Sequence, residues 1–90
     1  MSIEVEIASV FRSYLDGRKT VTAEGRTVGE VLKHLSDKYP GTKNMFIDDE
    51  GRMQNHFEVY LNGKSTYHSG TDTPVSDGDK IDLVYLIHGG

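Results

Sequence analysis

Only one segment of the chain, VGEVLKHLSDKY, places its apolar residues at helical spacing. Val28, Val31, Leu32, Leu35 and Tyr39 follow the i, i+3, i+4, i+7 pattern of a helix with one apolar stripe. Wherever else the sequence shows a hydrophobic period, that period is two. A lone amphipathic helix must bury its stripe against another element, and alternating segments on both sides of it offer a sheet. The fold class this predicts is α+β, with one main helix laid across one face of a mixed sheet.

The strands follow from the alternation. Residues 2–8, SIEVEIA, put Ile3, Val5 and Ile7 on one face and Ser2, Glu4 and Glu6 on the other, as a half-buried strand does. After the turn pair Asp16-Gly17, residues 19–23 alternate more weakly, which predicts a hairpin whose second strand is an edge. The helix is predicted to start at Thr27. Its hydroxyl and the Glu30 carboxylate form a capping box for the free amides of the first turn. It should end near Lys38 or Tyr39, because Pro40 lacks an amide hydrogen and disfavours a helical predecessor. Gly29 runs against this reading at up to about 1 kcal/mol relative to Ala.

Beyond the helix, Asp48-Asp49-Glu50-Gly51 reads as a solvated turn, and residues 56–61 as a third strand closed by Asn62-Gly63. A short fourth strand is predicted over residues 65–67. The turn Ser76-Asp77-Gly78-Asp79 then leads into a last strand over residues 80–87. The order is ββαββ, and the first and last strands must be neighbours if both are to bury their apolar faces under the helix. That arrangement is the ubiquitin-like β-grasp, predicted as a single domain over residues 1–90 with a flexible tail, residues 87–90.

Several functions are disfavoured by inventory. Ten Lys and Arg stand against 14 Asp and Glu, giving a net charge of −4 without any basic run, so no nucleic-acid partner is expected. The absence of Cys removes thiol nucleophiles and Cys-based metal sites. No membrane partner is expected, since no long apolar segment or signal-like N-terminus occurs, and the expected location is cytoplasmic. His34, His56 and His68 lie in different elements without paired spacing, and the acidic turn lacks the ligand spacing of a calcium loop. No metal site is predicted. Nor does the chain contain a P-loop, a G-x-S-x-G or a dinucleotide fingerprint, which leaves no candidate catalytic residue.

One feature has no packing purpose. The sequence closes VYLIHGG, and Gly89 and Gly90 bury no side chain while losing the most backbone freedom on ordering. What such a pair offers is the α-carboxylate of Gly90, on a thread with no Cβ to obstruct approach. Together with the ββαββ order, the helix entry TVGEVLKHLSDKYPG, the strand HFEVYLNG and the turn DGDKI, the ending GG resembles the MoaD/ThiS family. These are the ubiquitin-like sulfur carriers of the molybdopterin and thiamine pathways. The resemblance covers nearly the whole chain, and the segment MFIDDEGRMQN is closer to the molybdopterin-type and cysteine-forming carriers than to the short thiamine carriers. His88 is a departure, since the family more often has a small residue or Arg there; it is assigned no role.

The resemblance implies a carrier that is not an enzyme. An E1-like adenylyltransferase of the MoeB/ThiF type would use Mg-ATP to adenylate the Gly90 carboxylate. A sulfur donor would convert the adenylate to a thiocarboxylate, and a sulfur-accepting biosynthetic enzyme would consume it. No cofactor is expected on the carrier itself. Two other classes stay open: a ubiquitin-like modifier joined to lysines through Gly90, and a plain β-grasp interaction module. Strand alternation also supplies a docking surface. Tyr60, Val84 and Leu86 share the faces that carry Glu58 and Asp82, which should point away from the helix. They are the candidate partner-binding residues.

Overall fold

A computed structural model of the chain describes residues 2–86. Five strands and one α-helix follow in chain order: β1 (Ser2–Ile7), β2 (Thr20–Glu24), α1 (Val28–Lys38), β3 (Phe57–Leu61), β4 (Lys64–Ser65) and β5 (Lys80–Tyr85). They form one sheet in the order β2-β1-β5-β3-β4. β1 and β5 are parallel, with Val5 opposite Ile81, and every other neighbouring pair is antiparallel. The first and last strands are therefore adjacent, β2 is an edge, and the architecture is the β-grasp.

α1 begins as its sequence dictates. The Glu30 amide donates to Thr27 Oγ1 at 3.2 Å, and the Glu30 carboxylate accepts the amide of Arg26 at 2.9 Å. The reciprocal bond thus reaches one residue further back than in a standard capping box. Val28, Val31, Leu32 and Leu35 are buried on the sheet against Ile3, Val5, Ile7, Ile81 and Leu83. At the other end, Tyr39 and Pro40 stop the helix, which passes into a 3-10 turn, Pro40–Thr42. Gly29 has a packing reason: a Cβ there would stand 3.0 Å from Thr71 Cβ and 3.2 Å from the Thr71 carbonyl oxygen. Side chains of the same helix cover the free edge of β2, since Lys38 Nζ donates to the Thr22 carbonyl at 3.2 Å and His34 Nδ1 accepts the Glu24 amide at 2.8 Å.

Four local expectations need correction. β1 and β2 are not joined by a tight hairpin. A 3-10 segment, Ser9–Leu15, intervenes and drops Phe11 and Leu15 into the core before Asp16 and Gly17 turn the chain with positive φ. The third strand begins at Phe57 rather than His56, although the His56 carbonyl, next in register, still accepts the Leu86 amide at 3.0 Å. The fourth strand lies at Lys64–Ser65 rather than over residues 65–67. Thr66, next in register opposite Val59, still donates its amide and its hydroxyl to the Val59 carbonyl, at 3.1 and 2.9 Å, and Tyr67 beyond it is exposed. The last strand runs to Tyr85, and Ile87 lies outside the described residues.

The irregular segment between α1 and β3 also enters the core. Phe46 is fully buried, its ring edge-on to Phe11 at 5.2 Å and to Phe57 at 5.1 Å. Phe11 in turn meets the ring of Tyr85 at 5.8 Å, so an aromatic chain ends at the last residue of β5. The acidic turn caps this segment: Asp48 Oδ1 accepts the amides of Glu50 and Arg52, both at 2.9 Å.

Candidate functional site

Each strand of a sheet presents alternate residues to its two faces, and the burial follows that rule. The inner face holds Ile3, Val5, Ile7, Val21, Ala23, Phe57, Val59, Ile81 and Leu83, all buried. Among the described residues, no helix covers the outer face. One row of it crosses all five strands through register pairs: Thr20, Glu6, Asp82, Tyr60 and Ser65. A neighbouring row carries Thr22, Glu4 and Lys80, and Val84 stands opposite Glu58.

The structure brings together two of the three residues expected to bind a partner. Tyr60 and Val84 share this outer face, Tyr60 half-buried and Val84 at 39% exposure. Tyr60 is opposite Asp82, and Val84 lies two residues further along β5. Leu86, half-buried, follows β5, its amide held by the His56 carbonyl at 3.0 Å. His88, Gly89 and Gly90 lie outside the described residues. Arg12 and Lys80 line a shallow depression on this face with Glu6, Asp82, Tyr60 and Val84. Arg12 Nε is tied to the Ile7 carbonyl at 2.9 Å.

Charge is unevenly placed. Glu4, Glu6, Glu24, Glu58 and Asp82 all belong to the outer face, and Lys80 is the strand cation among them. Glu58 accepts the Ser65 hydroxyl, while Lys80 Nζ stands 3.6 Å from Glu6 Oε1 in an exposed and weak ion pair. Burial pushes the Asp82 carboxyl above the usual range, and the adjoining Glu6 and Glu4 push it the same way against the pull of Lys80. Like charges on directly neighbouring strands cost stability.

Alternation made the outer face legible in sequence. Less visible were Glu6 and Arg12 as members of the depression, since their nearness to Asp82 and Val84 depends on the parallel register of β1 with β5. Among the described residues, no group of three or more His, Asp or Glu could hold a metal ion, and no helix is long and apolar enough to cross a membrane.

The chain matches a family model described as the ThiS family over residues 5–90. It is 28% identical to a protein named sulfur carrier protein CysO from Mycobacterium tuberculosis, in an alignment covering all of both chains. A second relative, small archaeal modifier protein 3 of Haloferax volcanii, is 31% identical, again over the whole of both. Among solved structures, a chain of the Amycolatopsis orientalis BexX/CysO complex superposes with a TM-score of 0.85 at 27% identity, covering 98% of this chain and 99% of that one.

Proposed function

The chain belongs to the ThiS family, and from that membership we propose that it is a sulfur carrier whose Gly90 carboxylate is adenylated and then converted to a thiocarboxylate. The observation that carries this reading is the reach of the family match, which runs to residue 90 and so takes in Gly89-Gly90. Physical chemistry explains why activation is needed. A carboxylate repels nucleophiles and has no good leaving group, whereas an acyl-adenylate presents a neutral carbonyl with AMP to expel.

In the proposed sequence, a Gly90 carboxylate oxygen attacks the α-phosphorus of Mg-ATP held by an E1-like adenylyltransferase, and pyrophosphate leaves. Hydrosulfide-level sulfur from a donor then attacks the acyl carbon, AMP departs with the bonding pair, and the thiocarboxylate remains for a sulfur-accepting biosynthetic enzyme. The carrier supplies no acid or base to these steps. Its contribution is presentation, with Gly89 and Gly90 passing where a side chain would not fit and Tyr60, Val84 and Leu86 docking the activating enzyme. Four residues extend at most about 14 Å, so the enzyme must grip close to the tail.

Intact mass spectrometry of the protein from its own cells should show one oxygen replaced by sulfur. ATP and pyrophosphate exchange with the E1-like enzyme of the same genome should be abolished by deleting Gly90 or by Gly89→Val, with no change in melting. Undiminished exchange by the deletion variant would refute the proposal. A second reading, conjugation of Gly90 to protein lysines, is favoured by the likeness to a relative named as a modifier. It predicts higher-mass conjugates that survive reduction.

A further inference from the structure

Asn62-Gly63 closes the turn between β3 and β4, and no step of the carrier chemistry uses it. Leu61 faces Lys64 across this two-residue loop, which demands positive φ at both of its residues. Asn62 takes 51° and Gly63 takes 84°. Both are exposed, and a Cβ on Gly63 would meet nothing within 4 Å among the described residues, so the backbone here is open to approach. The Asn62 carboxamide, by contrast, is tied down. Its Nδ2 donates to Asp79 Oδ1 at 3.1 Å, and its Oδ1 accepts the Lys80 amide at 3.0 Å. One side chain thereby links the β3–β4 turn to the first residue of β5.

We infer that Asn62 is a site of spontaneous deamidation, with water as the co-reactant, and that its bonds to Asp79 and Lys80 set the rate. Asparagine is chemically labile because the backbone nitrogen of the next residue lies one five-membered ring closure from its Cγ. A side chain on that next residue obstructs the attack. Asn44 and Asn55 precede Met45 and His56, whereas Asn62 precedes the residue type without a Cβ. The Gly63 nitrogen gives up its proton and bonds to Cγ, closing a succinimide, and Nδ2 departs with its bonding pair and that proton as ammonia. Water then opens the ring. Breaking the new bond to Cγ leaves aspartate, and breaking the original peptide bond leaves isoaspartate. Ring closure requires the carboxamide to swing away from Asp79 and Lys80, so each event begins with a local opening that costs both bonds. Neither product is neutral for the fold. Aspartate turns a donor 3.1 Å from Asp79 into a second carboxylate, and isoaspartate adds a backbone carbon to the turn that sets Tyr60 opposite Ser65. Nothing in this chemistry depends on what Gly90 carries.

The protein held in mildly alkaline buffer, well below its melting transition, should gain one mass unit on the peptide containing Asn62, with aspartate and isoaspartate told apart by fragmentation. Peptides containing Asn44 and Asn55 should stay unchanged over the same period. Conversion should run severalfold slower than in a synthetic peptide of residues 58–67, which lacks Asp79 and Lys80. Asp79→Ala should speed it severalfold, whereas Asp79→Asn, which keeps an oxygen to accept from Nδ2, should convert residue 62 at close to the wild-type rate. Asp79 also accepts the Ser76 amide at 2.8 Å, so each variant is held equally far below its own melting transition. Converted protein, separated by its added negative charge, should melt at a lower temperature than unconverted protein. Residue 62 staying intact while the peptide converts would overturn the inference, as would conversion of Asn44 or Asn55 at the same rate. A folded chain that converts as fast as the peptide, or an Asp79→Ala rate equal to wild type, would overturn the control assigned to Asp79 and Lys80.

Discussion

Phe46→Ala tests whether the irregular segment between α1 and β3 is a structural part of the core. The Phe46 ring is fully buried between Phe11 and Phe57, with two edge-on contacts at 5.2 and 5.1 Å. Truncating a buried Phe costs about 3–5 kcal/mol, and each edge-on pair adds about 0.5–1.5 kcal/mol beyond the area it buries. The upper end of the first range is therefore expected. For 90 residues the total stability is about 5–13 kcal/mol, so this one change removes a large share of it. A domain of this size loses about 4–8 °C of melting temperature per kcal/mol, which puts the expected drop at about 20 °C or more. Phe46→Leu, which keeps most of the volume, should cost about 1–1.5 kcal/mol. Thermal melts followed by circular dichroism, with urea titration to confirm an unchanged slope, measure both. A drop under about 5 °C for the alanine variant would show that the segment can peel away without opening the core.

Leu86→Asp and Tyr60→Asp should weaken binding of the activating enzyme by about 2 kcal/mol or more, the range for central contacts, with little change in melting; calorimetric titration checks the first and circular dichroism the second. Gly29→Val should destabilise by about 1–3 kcal/mol, since even the first carbon of the new side chain meets Thr71 at 3.0 Å; recovery of stability in Gly29→Val combined with Thr71→Gly would trace the cost to that contact. Acid should destabilise the fold in a defined window. Asp79 accepts the Ser76 amide and the Asn62 side chain, which hold its carboxyl below 3.8, and Asp48 is lowered mainly by the Arg52 amide. A depressed carboxyl contributes stability above its unfolded pKa and loses it as pH falls through the folded one. Melting temperature should therefore fall as pH drops below about 4, and Asp79→Asn should flatten that fall.

The parts of the fold legible in sequence are those where a short-range rule decides. The alternation of Ile3, Val5 and Ile7, the stripe from Val28 to Leu35, the Thr27 cap and the Pro40 stop each constrain the backbone within a few residues. Phe11, Leu15 and Phe46 are as deeply buried as those residues, yet they sit in 3-10 and irregular backbone, where burial has no period. For Phe11 and Phe46 the place is the gap beside Tyr85 and Phe57, and that gap exists only after β3 and β5 have paired. The position of β4 is not legible in sequence for a related reason: a strand of two residues is too short to alternate. At the candidate site, alternation assigned Tyr60, Val84 and Leu86 to the outer face. The neighbourhood of Glu6 and Asp82 needed the parallel register, since the two carboxylates stand far apart along the chain.

The adjacency of β1 and β5 also sets when the protein can become itself. β5 lies between β1 and β3, so the two halves of the sheet share no ladder until residues 80–85 are in place. A growing polypeptide can form the helix early, but loop closure between Glu4 and Lys80 must wait for nearly the whole sequence. Until residues 80–85 have emerged, the N-terminal part should remain an open strand pair and helix rather than a closed sheet. A chain interrupted before β5 would lack the strand that joins its halves and would be cleared as unfolded. The segment leading to Gly90 would then be offered to a partner only on molecules whose sheet had already closed.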